Sequence, residues 1–348
     1  MPDKHSVTVL YDAAEDVEKA KAEKEGKPFP LAYSQVADAL EKRGHTVKTI
    51  AVTTKIRSLF AQVEKDTSDV IFNLCEAIAS TPQHEHNVVG LLELLEKCFT
   101  GCGSAGWMLA GDKALCKKIF QFHDIRFPRF CTMDKGKVEW ADELEFPLIV
   151  KPLHEDASIG INKDSVVHNI KELLERISYI HQEFDGAALV EEFIDGREIY
   201  VGVIGNDRPE AFPLLEWDFS KVKDGPKIAG SEAKWDPESE GHKAPEIVPK
   251  DIPSEVVAQI QAAAVNAYQA LKLTGYARVD MRVRKLSSKK KGDGDTTWDC
   301  PIIEVNPNCW LEKRGEFSVA ARNHGLSYPD LLEKIVELAL LRRPQAAL

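Results

Sequence analysis

The sequence lacks several features that mark large classes of proteins. No stretch of the 348 residues approaches the ~20 consecutive apolar residues of a membrane-spanning helix. The first residues, Met1 to His5, are polar, and no apolar core of a signal peptide follows them. A basic surplus is also missing, because 56 acidic residues outnumber 45 basic ones and give a net charge of −11. We therefore expect a protein that binds neither membranes nor nucleic acids.

The cysteines give no sign of disulfide cross-links or of a bound metal ion. The seven cysteines are odd in number and none forms a Cys-x-x-Cys pair, which argues against a disulfide framework and a zinc knuckle. His84 and His86 are two residues apart and would not share a helix face, so we do not expect a metal site there. The glycine-rich segment 101–106 lacks the spacing of a phosphate loop. We interpret it as a turn between domains, and the cysteine usage predicts a cytoplasmic protein.

The first third of the chain alternates strand and helix patterns. Strands are predicted at 6–11, 46–52 and 69–74, and helices at 33–43, 55–64 and 88–97. This alternation is typical of a parallel sheet with covering helices, and we assign it to a first domain, 1–104. The charged stretch 12–30 is predicted to be a loop or a solvated helical turn. Helix 88–97 could support a homodimer.

The remaining two thirds predict two α+β halves, 105–188 and 189–348. Strands are predicted at 146–152, 187–193, 197–204 and 212–219, and helices at 112–123, 166–179, 253–271, 318–323 and 328–341. Between them, the stretch 220–249 has few apolar residues and many charged ones, glycines and prolines. Loops of this length are uncommon unless they are mobile or functional.

Two runs near the end alternate apolar and polar residues with a period of two, 276–283 and 302–308. They predict two half-buried strands, with 287–299 as the exposed end of a long hairpin. Side chains two apart share a strand face, so Arg278 lies with Asp280, and Glu304 with Asn306. Such hard oxygen ligands beside an arginine suit magnesium that carries phosphates. The alternative is a solvated sheet face with cross-strand ion pairs.

Three lysines occupy positions that suit an anion. Lys113 follows the helix cap Asp112, in a first turn where the helix dipole disfavours a cation that has no partner; the alternative, which is the more common case, is an ordinary surface lysine. Lys151 ends a short apolar strand before a proline, and the small residues of 154–161 form a loop that an anion could approach. Lys234 stands beside Trp235 in the polar stretch, either as part of a lid over phosphates or in a loop anchored by one aromatic.

Several segments, in this order and at these spacings, together resemble the ATP-grasp enzymes. They are Asp112-Lys113, Phe146 to Pro152, Ala157-Ser158-Ile159-Gly160, Glu191 to Glu198, Ala233-Lys234-Trp235, Arg278-x-Asp280 and Glu304-x-Asn306. More narrowly, the chain resembles D-alanine–D-alanine ligases and related carboxylate–amine ligases over about residues 69 to 340. The resemblance implies an α/β and α+β fold: an N-terminal parallel-sheet (pre-ATP-grasp) domain followed by a two-lobed ATP-grasp fold.

The resemblance also implies which residues bind the nucleotide. Lysines would contact the phosphates, a flexible loop would cover them, and a strand end would hold adenine and ribose. The residues are Lys113 and Lys151 for phosphate, Ser158 for the loop, Glu191 with the backbone of Phe193 and Ile194 for adenine, and Glu198 for ribose.

Metal and reaction residues follow from the same resemblance. Asp280, Glu304 and Asn306 would bind two magnesium ions, or manganese. Lys234 would reach the transferred phosphate, and Arg278 would stabilise charge on the reacting acyl group. The implied reaction phosphorylates a carboxylate with ATP, and an amine then displaces phosphate to join two small amino-acid-like substrates. No covalent protein nucleophile is needed.

The substrate half departs from the resemblance. D-alanine ligases carry a glycine-rich segment with a substrate-binding glutamate after the first strand, whereas a charged run stands here. Our candidates for substrate contacts are Glu15, Glu76, Lys313 and Arg314. Two other functions stay open: an ATP-grasp enzyme acting on a peptide or protein terminus, and a catalytically inactive nucleotide-binding module.

Overall fold

Three β-sheets organise the chain. The computed structural model describes residues 3–24, 31–76, 78, 84–138, 144–155, 158–222, 227–235, 239–286 and 297–342. The sheets contain three, five and seven strands, and they follow one another along the sequence. The domain boundaries 1–104, 105–188 and 189–348 stay a prediction, although each sheet falls largely within one of these ranges.

The first sheet is parallel, as the alternating pattern predicted. Its elements are β1 (Ser6–Asp12), α1 (Ala14–Lys24), α2 (Ala32–Arg43), β2 (Thr46–Val52), α3 (Ile56–Glu64), β3 (Val70–Asn73) and α4 (Glu85–Leu94). The strand order is β2-β1-β3, with β1 parallel to both neighbours. The homodimer stays a prediction, and Leu94 at the end of α4 is a large exposed apolar side chain.

Helix α1 lies where the charged stretch predicted a loop or a helical turn. It runs for 11 residues and buries no side chain. Acidic residues in its first turn and lysines in its last turn complement the helix dipole, which explains a helix without an apolar face. The rest of that predicted stretch, 25–30, lies outside the described residues.

Two helices connect the first sheet to the second, α5 (Ser104–Gly111) and α6 (Lys113–Phe122). The interpretation of 101–106 as a turn was wrong from Ser104 onward. Trp107 and Ala110 of α5 are buried in the main apolar core, and this packing outweighs the helix-weakening glycines. Helix α6 begins at its predicted cap, because the Asp112 side chain accepts hydrogen bonds from two backbone N–H groups of the first turn.

The second sheet is antiparallel, with the order β5-β4-β8-β6-β7. Its elements are β4 (Phe130–Asp134), β5 (Lys137–Val138), β6 (Leu148–Pro152), β7 (Val166–Val167), α7 (Ile170–Glu183) and β8 (Ala188–Glu192). The helix predicted at 166–179 starts four residues late. Val166 and Val167 pair with β6 instead, and Asn169 caps α7 by accepting from Glu172 N.

The third sheet carries the order β12-β11-β9-β13-β14, with β10 on β9 and β15 on β13. Its elements are β9 (Arg197–Ile204), β10 (Glu210–Ala211), β11 (Leu215–Trp217), α8 (Ser231–Trp235), β12 (Glu246–Ile247), α9 (Ser254–Ala270), β13 (Tyr276–Leu286), β14 (Thr297–Asp299), β15 (Ile302–Pro307), α10 (Glu316–Asn323) and α11 (Tyr328–Leu340). Of the predicted hairpin end 287–299, residues 287–296 lie outside the described residues, and 297–299 form strand β14, which pairs with the end of β13.

Two expectations about this part need correction. The strand predicted at 212–219 is reduced to β11, which follows Pro213, a residue that cannot donate to a strand ladder. The stretch 220–249 is not one long loop, because α8 and β12 lie within it. Neither element has a periodic apolar pattern, so only packing against the sheet reveals them.

The two largest cores tie the sheets together. One lies between the apolar face of the third sheet and α5, α6 and α9. The other joins β1 and β3 of the first sheet to α10 and α11 at the end of the chain. The last two helices therefore pack on the first sheet, in a core that also includes Ile204 of β9 and Tyr276 of β13. Within the described residues, no helix has the length and apolar character needed to cross a membrane.

We predict that Asp112→Ala destabilises the protein by about 1 kcal/mol, because two N–H groups of α6 lose their acceptor. The free energy of unfolding in urea measures this. Asp207→Ala, at an exposed loop position, is the control and should change stability by less than about 0.5 kcal/mol. Equal effects of the two substitutions would contradict the capping role.

Candidate active site

One face of the third sheet is polar and yet buried. The register pairs Arg282 with Glu198, Asp280 with Tyr200, and Asp280 with Glu304, so these side chains share a face. On the opposite face, alternate residues of β9 and β13 enter the main core. Arg278 and Asp280 are only 8% and 9% exposed, respectively. The alternative is therefore wrong about solvation, although the cross-strand ion pair that it expected is present between Arg282 and Glu198.

Arg278 organises the middle of this face. Its Nε and Nη2 donate to the two carboxylate oxygens of Asp280 at 2.7 and 2.9 Å. Nη1 lies 3.4 Å from Glu316 Oε2, at the start of α10, and the guanidinium stacks over the Tyr200 ring at 4.9 Å. Burial raises the pKa of Asp280, and Arg278 works against that shift. One cation thus holds two carboxylates in place.

A cleft between the second and third sheets collects most of the predicted nucleotide and metal residues. Nine of them line it: Lys151, Ser158, Glu191, Phe193, Ile194, Glu198, Lys234, Asp280 and Glu304. Three more, Lys113, Arg278 and Asn306, do not line the cleft but contact Glu304 or Asp280, which do. The sequence motifs, which are up to 193 residues apart, therefore converge on one site.

Glu191 is the buried counter-charge of two lysines. Lys151 Nζ lies 2.7 Å from its Oε2, and Lys117 Nζ lies 2.7 Å from its Oε1. Burial would raise the pKa of Glu191, but these two cations outweigh it and the pKa is lowered. Burial also lowers the pKa of Lys151, as does the neighbouring Lys117, whereas Glu191 opposes the shift. Two cations share one anion, so this wall of the cleft carries a positive excess that suits an anionic ligand.

The first-turn lysine of α6 is buried and has an acidic partner, so it is not an ordinary surface lysine. Lys113 Nζ lies 3.0 Å from Glu304 Oε1 and donates to the backbone carbonyl of Glu155 at 2.7 Å. Burial would raise the pKa of Glu304, but Lys113, Lys151 and Lys234 outweigh it and hold the pKa well below its usual range. Glu304 is therefore ionised at neutral pH, as a metal ligand must be.

The residues present fit a magnesium ion that arrives with phosphate. In the described part of the chain, no group of three or more His, Cys, Asp or Glu side chains is arranged to hold a metal. The donor set is two carboxylates and one carboxamide, and Asn306 Nδ2 donates to Asp280 Oδ2 at 3.0 Å. Magnesium commonly takes one or two carboxylates and fills the remaining positions with phosphate oxygens and water. The pairing of β13 with β15 shifts register at this point, because Asp280 pairs with Glu304 whereas Met281 pairs with Ile302, which leaves Ile303 as the extra residue.

Glu198 is fixed from three sides at the other end of the cleft. Arg282 Nη2 lies 2.8 Å from Oε2, and the backbone N–H of Ala229 donates to the same oxygen at 3.0 Å. The Tyr200 hydroxyl donates to Oε1 at 2.9 Å. A carboxylate held this firmly can accept further hydrogen bonds from a polar ligand without moving.

The predicted lid and the predicted phosphate loop touch each other. Ser158 Oγ donates to the carbonyl of Ala229 at 2.6 Å, and Ser231 N donates to the carbonyl of Ile161 at 2.8 Å. Ser158 and Gly160 both have left-handed backbone conformations, with φ of 61° and 74°. Helix α8, which carries Lys234, packs through Ala233 on the third sheet. Its position brings Lys234 within electrostatic range of the three acidic residues Asp280, Glu304 and Glu316. The Ala157 backbone and the Trp235 side chain lie outside the described residues.

The four candidate substrate residues are not brought together in the same way. Glu15, on α1, has a pKa raised to about 7 by burial and by the charges of Asp12 and Asp16, and its Oε2 has no hydrogen-bond partner among the described residues. Glu76 follows β3. Burial raises the pKa of Cys309, and the charges of Glu316 and Glu76 add to the shift.

Lys313 and Arg314 are exposed on the loop before α10 and do not line the cleft. The backbone N–H of Lys313 donates to Gln35 on α2, and its carbonyl accepts from Arg322. The loop is therefore anchored through its backbone, and the two side chains point to solvent. Their assignment as substrate contacts gains no support from this geometry.

Sequence reasoning missed four residues of the site, Lys117, Arg282, Glu246 and Glu316. Two of them had a signal: Lys117 is one helical turn after Lys113, and Arg282 is two residues after Asp280 on the same strand face. Glu316 and Glu246 had none, because each reaches the site only through the path of the chain between distant elements. Burial and the charge of Glu316 raise the pKa of Glu246 to about 7, against the influence of Arg278.

Comparison with known proteins gives consistent matches. A family model described as the D-ala D-ala ligase C-terminus matches residues 119–337. An uncharacterized protein of Sinorhizobium fredii, y4sG, is 30% identical over 321 residues, which are 90% of this chain and 89% of that protein. The D-alanine–D-alanine ligase of Desulforudis audaxviator is 31% identical over 311 residues, 87% of this chain and 91% of that protein. The crystal structure of D-alanine–D-alanine ligase from Bacillus anthracis complexed with ATP matches with a TM-score of 0.72 and 21% identity, covering 97% of this chain and 98% of that one. At this identity the structural match establishes the fold alone.

We predict that Glu191→Gln destabilises the protein by about 3–5 kcal/mol, because Lys117 and Lys151 stay buried without a counter-charge. Glu192→Gln is the matched control. Its partners, among them Arg126 and Arg129, are partly exposed, so the expected loss is at most about 1 kcal/mol. Unfolding in guanidinium chloride measures both. A Glu191 variant as stable as the Glu192 variant would contradict the buried-charge account.

Proposed function

This chain belongs to the D-alanine–D-alanine ligase family of ATP-grasp enzymes, and from that premise we propose that it is an ADP-forming carboxylate–amine ligase. The family match confirms the resemblance on which the sequence expectation depended, and the structural match confirms the expected ATP-grasp fold. The proposed substrates are ATP and two small amino-acid-like molecules. The proposed reaction activates a carboxyl group as an acyl phosphate before the amine attacks.

One observation carries this proposal: cations from separate elements meet oxygen ligands in one cleft. Lys113 comes from α6, Lys151 from β6 and Lys234 from α8, whereas the acidic ligands come from β13 and β15. Phosphoryl transfer from ATP to a carboxylate brings two anions together, so the site has to supply positive charge. This cleft supplies it from three directions.

The residues then divide into roles. Lys113 and Lys151 bind phosphate oxygens, with Glu191 aiming Lys151. Phe193 and Ile194 offer backbone groups to adenine at the end of β8, and Glu198 accepts hydrogen bonds from ribose. Lys234 approaches the transferred phosphate from α8. In our proposal Arg278 stabilises negative charge on the acyl group that reacts.

Asp280, Glu304 and Asn306 would hold two magnesium ions, which would neutralise negative charge on the phosphates. The chain's own contribution is to keep these ligands ionised and correctly placed. Lys113 does this for Glu304, and Arg278 does it for Asp280.

The proposed substrate end of the cleft, around Arg278, is rich in acidic side chains. Arg278 already contacts two carboxylates, and Glu246 is a third acidic neighbour. Apart from the reacting acyl group itself, these carboxylates disfavour any further acidic group beside Arg278 and favour a neutral or cationic one, such as an amine. We infer that amino substrates with neutral or basic side chains are preferred over acidic ones.

The inactive-module alternative is disfavoured by the residue types in the cleft. Each matched nucleotide or metal position carries a side chain able to perform its role, and buried charges of this kind are costly to keep without a ligand. An enzyme acting on a peptide or protein terminus uses the same cleft chemistry. Length dependence of the amine substrate separates it from a small-molecule ligase.

We predict that Asp280→Asn and Glu304→Gln each lower the rate of ADP release by roughly 10²–10³, because each removes a charge that holds the metal. Release is measured at several magnesium concentrations on folded protein. Asp185→Asn, on the exposed loop after α7, is the control and should retain the wild-type rate. A doubly substituted enzyme that still turns over at the wild-type rate would rule out the magnesium assignment.

A substrate panel tests the proposed reaction itself. We expect phosphate release from ATP only when a suitable pair from a set of D- and L-amino acids and dipeptides is added. Neutral or basic members should give the higher rates, because of the carboxylates around Arg278. Magnesium-dependent ATP binding with no release for any member would favour the inactive module. Release only with longer peptides would favour the peptide-terminus enzyme.

A further inference from the structure

Lys117 is buried behind the wall of the cleft. It is 1% exposed and does not line the cleft, although its neighbours Lys151, Glu191 and Ile303 do. A completely buried lysine is rare because removing an ammonium group from water is costly without partners. The groups that Lys117 contacts therefore indicate its role.

Those partners belong to two different sheets. Lys117 Nζ lies 2.7 Å from Glu191 Oε1 on β8 of the second sheet. The same nitrogen donates to the carbonyl oxygen of Ile303 at 2.9 Å, on β15 of the third sheet. Ile303 directly precedes Glu304, whose carboxylate pairs with Lys113 one helical turn away on α6. One ammonium group thus connects the wall proposed to hold adenine with the strand proposed to hold metal.

We propose that Lys117 is a positioning residue of the nucleotide site, which aims Lys151 through Glu191 and sets the place of Glu304 through the Ile303 carbonyl. The proposal rests on the proposed function only in that the cleft binds a nucleotide. Lys117 itself touches no ligand. It acts on Lys151 through Glu191 and on Glu304 through Ile303, in the way that outer contacts orient metal ligands.

The charge of Lys117 also acts on Lys151. Three charged groups face Lys151 from the packed elements: Glu191 from β8, Lys117 from α6 and Glu304 from β15. Burial lowers the pKa of Lys151, Lys117 lowers it further, and the two carboxylates raise it. Removing Lys117 takes away a repelling cation and leaves Glu191 to Lys151 alone, so we expect the pKa of Lys151 to rise. Lys151 would then stay charged to higher pH.

The affinity for ADP in the presence of magnesium, measured by titration calorimetry from pH 7 to 10.5, tests the proposal without turnover. In the wild-type protein, affinity should fall as pH rises through the pKa of Lys151. For Lys117→Met we expect a Kd about 10- to 100-fold higher at pH 7.5. The fall in ADP affinity at alkaline pH should also occur at higher pH than in the wild type. Lys118→Met, at the exposed neighbouring position, should match the wild type in both respects.

Further variants keep the test decisive. Lys117→Arg retains the cation, so its affinity for ADP should fall near the same alkaline pH as in the wild type. Its Kd should lie between those of the wild type and Lys117→Met. Lys117→Gln keeps a donor without charge and replaces Lys117→Met if that variant does not fold. A folded neutral variant with lower thermal stability, but with the wild-type Kd and pH profile, would reduce Lys117 to a packing role and overturn the proposal. ADP binding is read independently of amino-acid-dependent phosphate release, so failure of the ligase proposal would be seen separately.

Discussion

Charge enclosed between the second and third sheets is the constraint on which the site depends. Glu191, with a lysine on each carboxylate oxygen, is its centre. Each of these groups is costly to bury alone, and together they are tolerated because the partners lie at hydrogen-bond distance. The same arrangement leaves more positive than negative charge at that wall. The stability of the folded chain and the attraction of an anionic ligand thus have one source.

Helix α6 contacts the charged groups of both sheets. Its cap at Asp112 fixes where the helix starts, and the helical period then places Lys113 and Lys117 on one side, one turn apart. One lysine reaches Glu304 on the third sheet, and the other reaches Glu191 on the second. Cys116 and Phe120, three and seven residues after Lys113, extend the same buried side of the helix into the main core. A single capped helix therefore sets the distance between the two walls of the cleft.

The two ends of the cleft differ in how much of the family's pattern they share. At the nucleotide end, the residues that carry the resemblance converge, and the carboxylate of Glu198 is held by a guanidinium, a hydroxyl and a backbone N–H. At the Arg278 end, Glu316 and Glu246 add negative charge, and the residues proposed from the sequence as substrate contacts are scattered. The proposed specificity for neutral or basic amines follows from this difference.

The sequence alone determined the parallel first sheet, the cap of α6 and the shared faces of Arg278 with Asp280 and Glu304 with Asn306, because each depends on local spacing or a period along one element. It also supplied the family, because several weak motifs in a fixed order are jointly specific. The tertiary structure alone decided that the polar face of the third sheet is buried, that α5 is a helix despite its glycines, and that Glu246 and Glu316 reach Arg278. These depend on which distant surfaces cover one another, and no pattern within a single segment records that.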